Sequence, residues 1–129
     1  SGNPIALTAG LAALEMVSEP GFYTVLNSKV NFITTTLQQV INERHLPLRI
    51  QSIGGMFTLF FGTSHELKNF SEVKKCDFTL FKAYFKHMLD RGIYVAPSPF
   101  EALFVSSKHT QKDLDLFVEA TLDFFDKMG

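Results

Sequence analysis

LRIQSIGGMFTLFFG, residues 48–62, is the stretch whose reading sets the architecture of this chain. Pro47 marks the change to extended structure. LRIQSI alternates apolar and polar residues, the pattern of a half-buried strand. Gly54 and Gly55 make a turn or bulge, and MFTLFFG continues extended. Two such runs joined by Gly-Gly read as a hairpin or a sharply bent ribbon.

The segments on either side read as helices. Upstream, Phe22, Leu26, Val30, Ile33, Leu37 and Ile41 fall near a 3.6-residue period, with Lys29, Asn31, Gln38 and Asn42 on other faces. Further upstream, Asn3 and Pro4 read as the N-cap and first residue of another helix. Residues 5–17 are apolar almost all round and predict a helix buried on most sides, stopped at SEPG. Downstream, TSHELKNFSEVKKC is polar and reads as a surface loop. Asp77 then caps a helix carrying Phe78, Phe81, Phe85 and Met88, which ends at Gly92. IYVAP and ALFVS read as short strands around PSPFE. Thr110 and Asp113 form a capping box, followed by Leu114, Phe117, Val118, Thr121 and Phe125 on a buried face. The expected order is α-α-β-β-α-β-β-α: an α+β fold with helices packed on a small, mostly antiparallel sheet.

Composition narrows the function classes. The chain has 129 residues, 46% hydrophobic and 19% charged, the size and balance of one folded domain. Fourteen Phe and no Trp predict a Phe-rich core. A net charge of −1 with no basic stripe argues against nucleic acid. The single cysteine, Cys76, excludes an internal disulfide and a cysteine-rich zinc site. No uncharged apolar run reaches the roughly 18–20 residues of a membrane span.

Few residues suggest chemistry. His45, His65, His87 and His109 lack metal-ligand spacing and read as solvated or locally bonded, with His109 structural at a helix start. Cys76 follows two lysines and precedes a helix, both of which lower a thiol pKa, but no histidine base adjoins it. Gly54-Gly55 lacks the spacing of a phosphate loop. The most pointed stretch is APSPFEALF. Its Glu101 stands among Phe100, Ala102, Leu103 and Phe104, so it is either an exposed strand-edge carboxylate or one held for a purpose. Buried without a partner, its pKa would rise.

Four stretches then fall into register. SGNPIALTAGLAAL, IGGMFTLFF, FKHMLDRGIYVAPSPFEALFVSSKHT and KDLDLFVEATLDFF resemble, in order, the C-terminal part of the glutamate-1-semialdehyde 2,1-aminomutase family of class III pyridoxal-phosphate aminotransferases. SGNP before a small-residue helix is shared across the class. The pairing of G-x-MF-x-x-FF with Y-x-APS-x-FEA-x-F-x-S-x-x-HT is specific to the aminomutase. Gly55 stands where the family commonly has Ser, and Leu103 where it has Gly.

The resemblance implies the C-terminal small domain of a fold-type I enzyme, with residues 1–129 as one domain fragment. The helix over 1–19 would pack against a preceding large domain. That domain would hold pyridoxal phosphate on a Schiff-base lysine, so the cofactor is not expected to bind this fragment covalently, and no catalytic residue is assigned in it. The parent would convert glutamate-1-semialdehyde to 5-aminolevulinate for tetrapyrrole synthesis, as a cytoplasmic homodimer with a small-molecule substrate. Glu101 maps onto the FEA glutamate that faces the cofactor and substrate. Ser1, Gly2 and Asn3 map near the cofactor phosphate of the partner subunit, with Asn3 as a plain N-cap the favoured reading. Two other readings stand beside this one: the small domain of another class III aminotransferase, and a stand-alone interaction module.

Overall fold

The fold is given by a computed structural model, which describes residues 5–6, 22–53, 55–63, 76–96, 103–106 and 108–128. The elements are β1 (Ile5–Ala6), α1 (Phe22–Arg44), β2 (Leu48–Ile53), β3 (Met56–Phe61), α2 (Phe78–Asp90), β4 (Ile93–Tyr94), β5 (Leu103–Phe104) and α3 (Gln111–Met128). The α+β class holds, with helices on a small antiparallel sheet.

The hairpin forms as read. β2 and β3 pair antiparallel from Leu48 opposite Phe61 to Ile53 opposite Met56. Phe57, Leu59 and Phe61 face the core with Leu48 and Ile50, as a period of two requires. β5 adds to the other edge of β3, with Phe104 opposite Met56 and Leu103 opposite Phe57. β3 is therefore the central strand of three.

The beginning of the chain differs from expectation. Ile5–Ala6 are extended and pair in parallel with Ile93–Tyr94. The helix expected over residues 5–17 therefore does not include Ile5 and Ala6, while Asn3 and Pro4, the expected cap and first helical residue, lie outside the described residues. The reason is tertiary. Extended backbone at β4 offers a ladder to this segment, and that pairing overrides the local helical pattern. Residues 7–19, the remainder of the expected helix, and the loop at 64–75 lie outside the described residues.

Helix ends account for much of the geometry. α1 buries Leu26, Val30, Ile33, Leu37 and Ile41. It closes with Leu46 N–H donating to Ile41 C=O (3.0 Å) and His45 N–H to Asn42 C=O (3.4 Å), a Schellman ending with His45 at φ +53°. At α2, Asp77 Oδ1 accepts from Leu80 N–H at 2.9 Å. At α3 the capping box is reciprocal: Thr110 N–H donates to Asp113 Oδ2 (2.8 Å) and Asp113 N–H to Thr110 Oγ1 (3.2 Å).

The hairpin is joined to α2 through Gly62. Its N–H donates to Pro47 C=O and Asp77 N–H donates to Phe61 C=O, each at 2.7 Å. Gly62 has φ +89°, and a Cβ there would lie 2.7 Å from the Asp77 nitrogen. Behind this junction sits the aromatic core. Phe61, Tyr84 and Phe124 meet with ring centroids 5.2–5.9 Å apart, and Phe57 lies 5.8 Å from Phe117. Such tilted and edge-on pairs add about 0.5–1.5 kcal/mol each beyond area burial.

Candidate functional site

The residues singled out by sequence, Glu101 with Ser1, Gly2 and Asn3, lie outside the described residues. The structure instead describes the strands that flank them in the chain. Ile5, two residues after Asn3, pairs with Ile93. Leu103, two residues after Glu101, pairs with Phe57 on the central strand. After β4 the chain continues through Val95 and Ala96, both buried in the core. Two short strand pairings thus hold the described residues nearest in sequence to the candidate positions.

The two departures from the family pattern gain a physical setting. Leu103 is buried among the core residues, so the bulk it adds goes into packing. A Cβ on Gly55 would approach Leu26 Cδ1 to 3.3 Å. A Ser there requires Leu26 to give by a few tenths of an ångström.

A cleft of about 420 Å³ opens between α2 and α3, lined by Leu80, Ala83, Lys86, His87, Asp90, Phe124, Lys127 and Met128. His87 forms its polar wall and is only 6% exposed. Its Nε2 lies 2.7 Å from Ala120 C=O, and its Nδ1 lies 3.2 Å from Lys127 Nζ. A carbonyl only accepts and an ammonium only donates, so the neutral ring protonated at Nε2 satisfies both. Burial holds its pKa below the ordinary histidine value, and Arg91 and Lys127 act in the same direction. The Ala120 bond and Asp123 oppose them. Sequence reasoning grouped His87 with solvated or locally bonded side chains. A signal was present, because His87 falls three residues after Tyr84 and directly before Met88, on the apolar face of α2.

The other ionisable groups are structural. Tyr84 OH bonds Thr121 Oγ1 at 2.8 Å, and burial drives the phenol well above its ordinary pKa. His109 Nδ1 accepts from Ser106 N–H at 2.9 Å, the structural role expected ahead of α3. Burial pushes the Cys76 thiol up, opposite to the lowering that its neighbouring lysines suggested. Lys82, Lys86, Lys108, Lys112 and Lys127 are exposed, and Lys29 Nζ donates to His109 C=O at 2.6 Å. Among the described residues no cluster of three His, Cys, Asp or Glu has the geometry of a metal site. No helix among them is long and apolar enough to cross a membrane.

Comparison with known proteins supplies the context that these residues lack. No family model matches the chain. Glutamate-1-semialdehyde 2,1-aminomutase of Clostridium kluyveri is 42% identical over 125 residues, which is 96% of this chain and 30% of that protein. The protein of that name from Psychrobacter sp. (strain PRwf-1) is 43% identical over all of this chain and 30% of its own length. The chain therefore spans about three tenths of the curated relatives it matches. Among solved structures, a glutamate-1-semialdehyde aminomutase from Pseudomonas aeruginosa PAO1 superposes with a TM-score of 0.77. The match covers 92% of this chain and 26% of that one at 18% identity. A variant of a glutamate-1-semialdehyde aminomutase from the same strain, in complex with PMP, gives 0.75 over 89% of this chain and 25% of that one, also at 18% identity. A β-phenylalanine aminotransferase from Variovorax paradoxus gives 0.68 over 83% of this chain and 23% of that one, again at 18% identity. At that identity the structures establish the fold, which is the small-domain fold of these enzymes. With sequence identity near two fifths along its whole length, the chain is similar to one segment, about three tenths, of the glutamate-1-semialdehyde 2,1-aminomutases it matches.

Proposed function

We propose that the protein carrying this chain converts glutamate-1-semialdehyde to 5-aminolevulinate, supplying tetrapyrrole synthesis, and that the chain is its C-terminal small domain. The observation that carries this is the identity of about two fifths across the whole chain to aminomutases of that name. Fold alone would not suffice, since aminotransferases of other specificity share it. Pyridoxal phosphate, when bound, supplies an electron sink and an amine carrier. The described residues of this chain do not fit a covalent site for it. A Schiff-base lysine must be desolvated or flanked by cations to act as a nucleophile, whereas the described lysines are exposed or, for Lys29, bonded to backbone carbonyls. That lysine is proposed to lie in a larger domain of the parent protein, a reading supported by the chain's spanning only about 30% of its relatives' length. The partners are that domain, the second subunit of a homodimer and the small-molecule substrate, and the compartment is the cytoplasm.

Within the chain, Glu101 is the residue proposed to face the substrate. A carboxylate there can pair with a substrate ammonium or move a proton. Ser1, Gly2 and Asn3 are proposed as phosphate neighbours of the partner subunit's cofactor. In the full-length protein, Glu101→Gln lowers turnover of glutamate-1-semialdehyde while leaving the folded fraction unchanged. Unchanged turnover and unchanged intermediate binding would remove Glu101 from the site. The reaction itself is tested by omitting any external amino donor. An aminomutase still turns over, whereas an ordinary aminotransferase stops.

A further inference from the structure

The contact between α2 and α3 at His87 is built differently from the rest of the core. Elsewhere these helices meet through apolar side chains and the neutral Tyr84–Thr121 pair. At His87 they meet through a titratable ring that is 6% exposed and bonded on both nitrogens. Nε2–H donates to Ala120 C=O in the middle of α3 (2.7 Å), and Nδ1 accepts from Lys127 Nζ in its last turn (3.2 Å). The ring also stacks edge-on against Phe124, 5.2 Å away and tilted 65°. A single side chain of α2 therefore holds three positions of α3.

We propose that His87 is a pH-sensitive latch between α2 and α3, which ties the last turns of the two helices together when neutral and releases them when protonated. The geometry dictates the direction. A second ring proton must sit on Nδ1, where it points at an ammonium that has only donors to offer. The bond to Lys127 becomes a contact between two cations, with the Arg91 guanidinium also near, since Arg91 Nη1 donates to His87 C=O at 3.1 Å. Of the other charged groups facing the ring, Asp123 on α3 favours the proton. Asp90 and Lys86 on α2 pair with each other at 3.7 Å on the cleft rim and largely cancel. Folding lowers the His87 pKa, so the latch is closed above the ordinary histidine range. Its contribution falls as pH drops through that range, and the loss is complete below the depressed value.

The test is hydrogen exchange of the full chain between pH 7.5 and 5.0, corrected for intrinsic rates, together with an NMR titration of His87. Exchange should rise in peptides covering the end of α2 and the last turns of α3 as pH falls below about 6.5, while the β2–β3 hairpin stays protected. The opening constant should grow roughly tenfold for each unit by which folding lowers the His87 pKa. Lys127→Met removes an exposed cation and one ring contact, so the His87 midpoint should move up and the exchange transition should move with it. A merely structural histidine would not couple these two readouts. His87→Gln keeps an N–H for Ala120 and should leave exchange independent of pH. If that variant does not fold, Lys127→Met carries the test. Exchange flat with pH in the parent chain, or a His87 midpoint unmoved by Lys127→Met, would overturn the proposal.

Discussion

Gly62→Ala should be among the most damaging single-methyl additions in the described part of the chain, and Gly92→Ala provides its control. Both glycines have positive φ, +89° and +77°. An L-residue in such a conformation costs about 1–2 kcal/mol, partly offset by the roughly 0.5–1 kcal/mol of chain entropy that glycine loses on folding. At Gly92 a new Cβ meets nothing within 4 Å, so conformation alone acts and the net cost stays near 1 kcal/mol. At Gly62 the Cβ would sit 2.7 Å from Asp77 N and 2.8 Å from Asp77 Cβ. The atoms in the way include backbone, so the chain itself must shift. That shift strains the two 2.7 Å hydrogen bonds joining Gly62 to Pro47 and Asp77 to Phe61, each worth about 0.5–1.5 kcal/mol net. It also disturbs the Asp77 cap of α2, worth about 1 kcal/mol. The expected loss is about 2–4 kcal/mol, read as a drop in the urea midpoint at constant m. A Gly62→Ala loss no greater than that of Gly92→Ala would show that the hairpin and α2 do not meet as described.

Tyr84→Phe leaves the buried Thr121 hydroxyl, among the described residues, with a 3.9 Å contact to Met88 Sδ, and should cost about 1–2 kcal/mol. Adding Thr121→Val should cost less than the two single changes together, because an apolar pair replaces both partners. Strict additivity in a thermal double-mutant cycle would contradict this bond. His45→Gly should stabilise the chain by about 0.5–1 kcal/mol, since His45 occupies a left-handed Schellman position that glycine adopts without strain. A loss of stability would contradict that geometry. The Asp113 pKa lies below its ordinary value because the Thr110 N–H bonds the carboxylate. Its contribution is therefore present above about pH 4 and lost as pH falls through the depressed value. Asp113→Asn should flatten the acid limb of the stability profile, and an unchanged limb would argue against the capping box.

The hairpin, α1, α2 and α3 were legible because each carries a periodic apolar pattern bounded by a cap or turn. Leu26, Val30, Ile33, Leu37 and Ile41 announce one buried helical stripe. Asp77 and the Thr110–Asp113 pair mark two helix starts where the structure has them. The first strand was not legible. Ile5–Ala6 forms two residues of ladder with a partner nearly ninety positions away, and nothing local records such a pairing against the helical signal of Asn3-Pro4. His87 was half legible, since helical spacing put it beside Tyr84 and Met88 but could not supply Ala120 and Lys127 from another helix. The candidate site was legible only through resemblance. From the residues alone, Glu101 was a carboxylate in apolar company.

We propose that this chain is one portion of an enzyme that moves an amino group within a single substrate. The direct measurement is 5-aminolevulinate formed from glutamate-1-semialdehyde by the full-length protein loaded with pyridoxamine phosphate, with no amino donor or keto acceptor present. Sustained multiple turnover is the expected result. Activity that ends after one equivalent per site, and resumes only when a donor is added, would make the protein a transferase between two substrates and contradict the account.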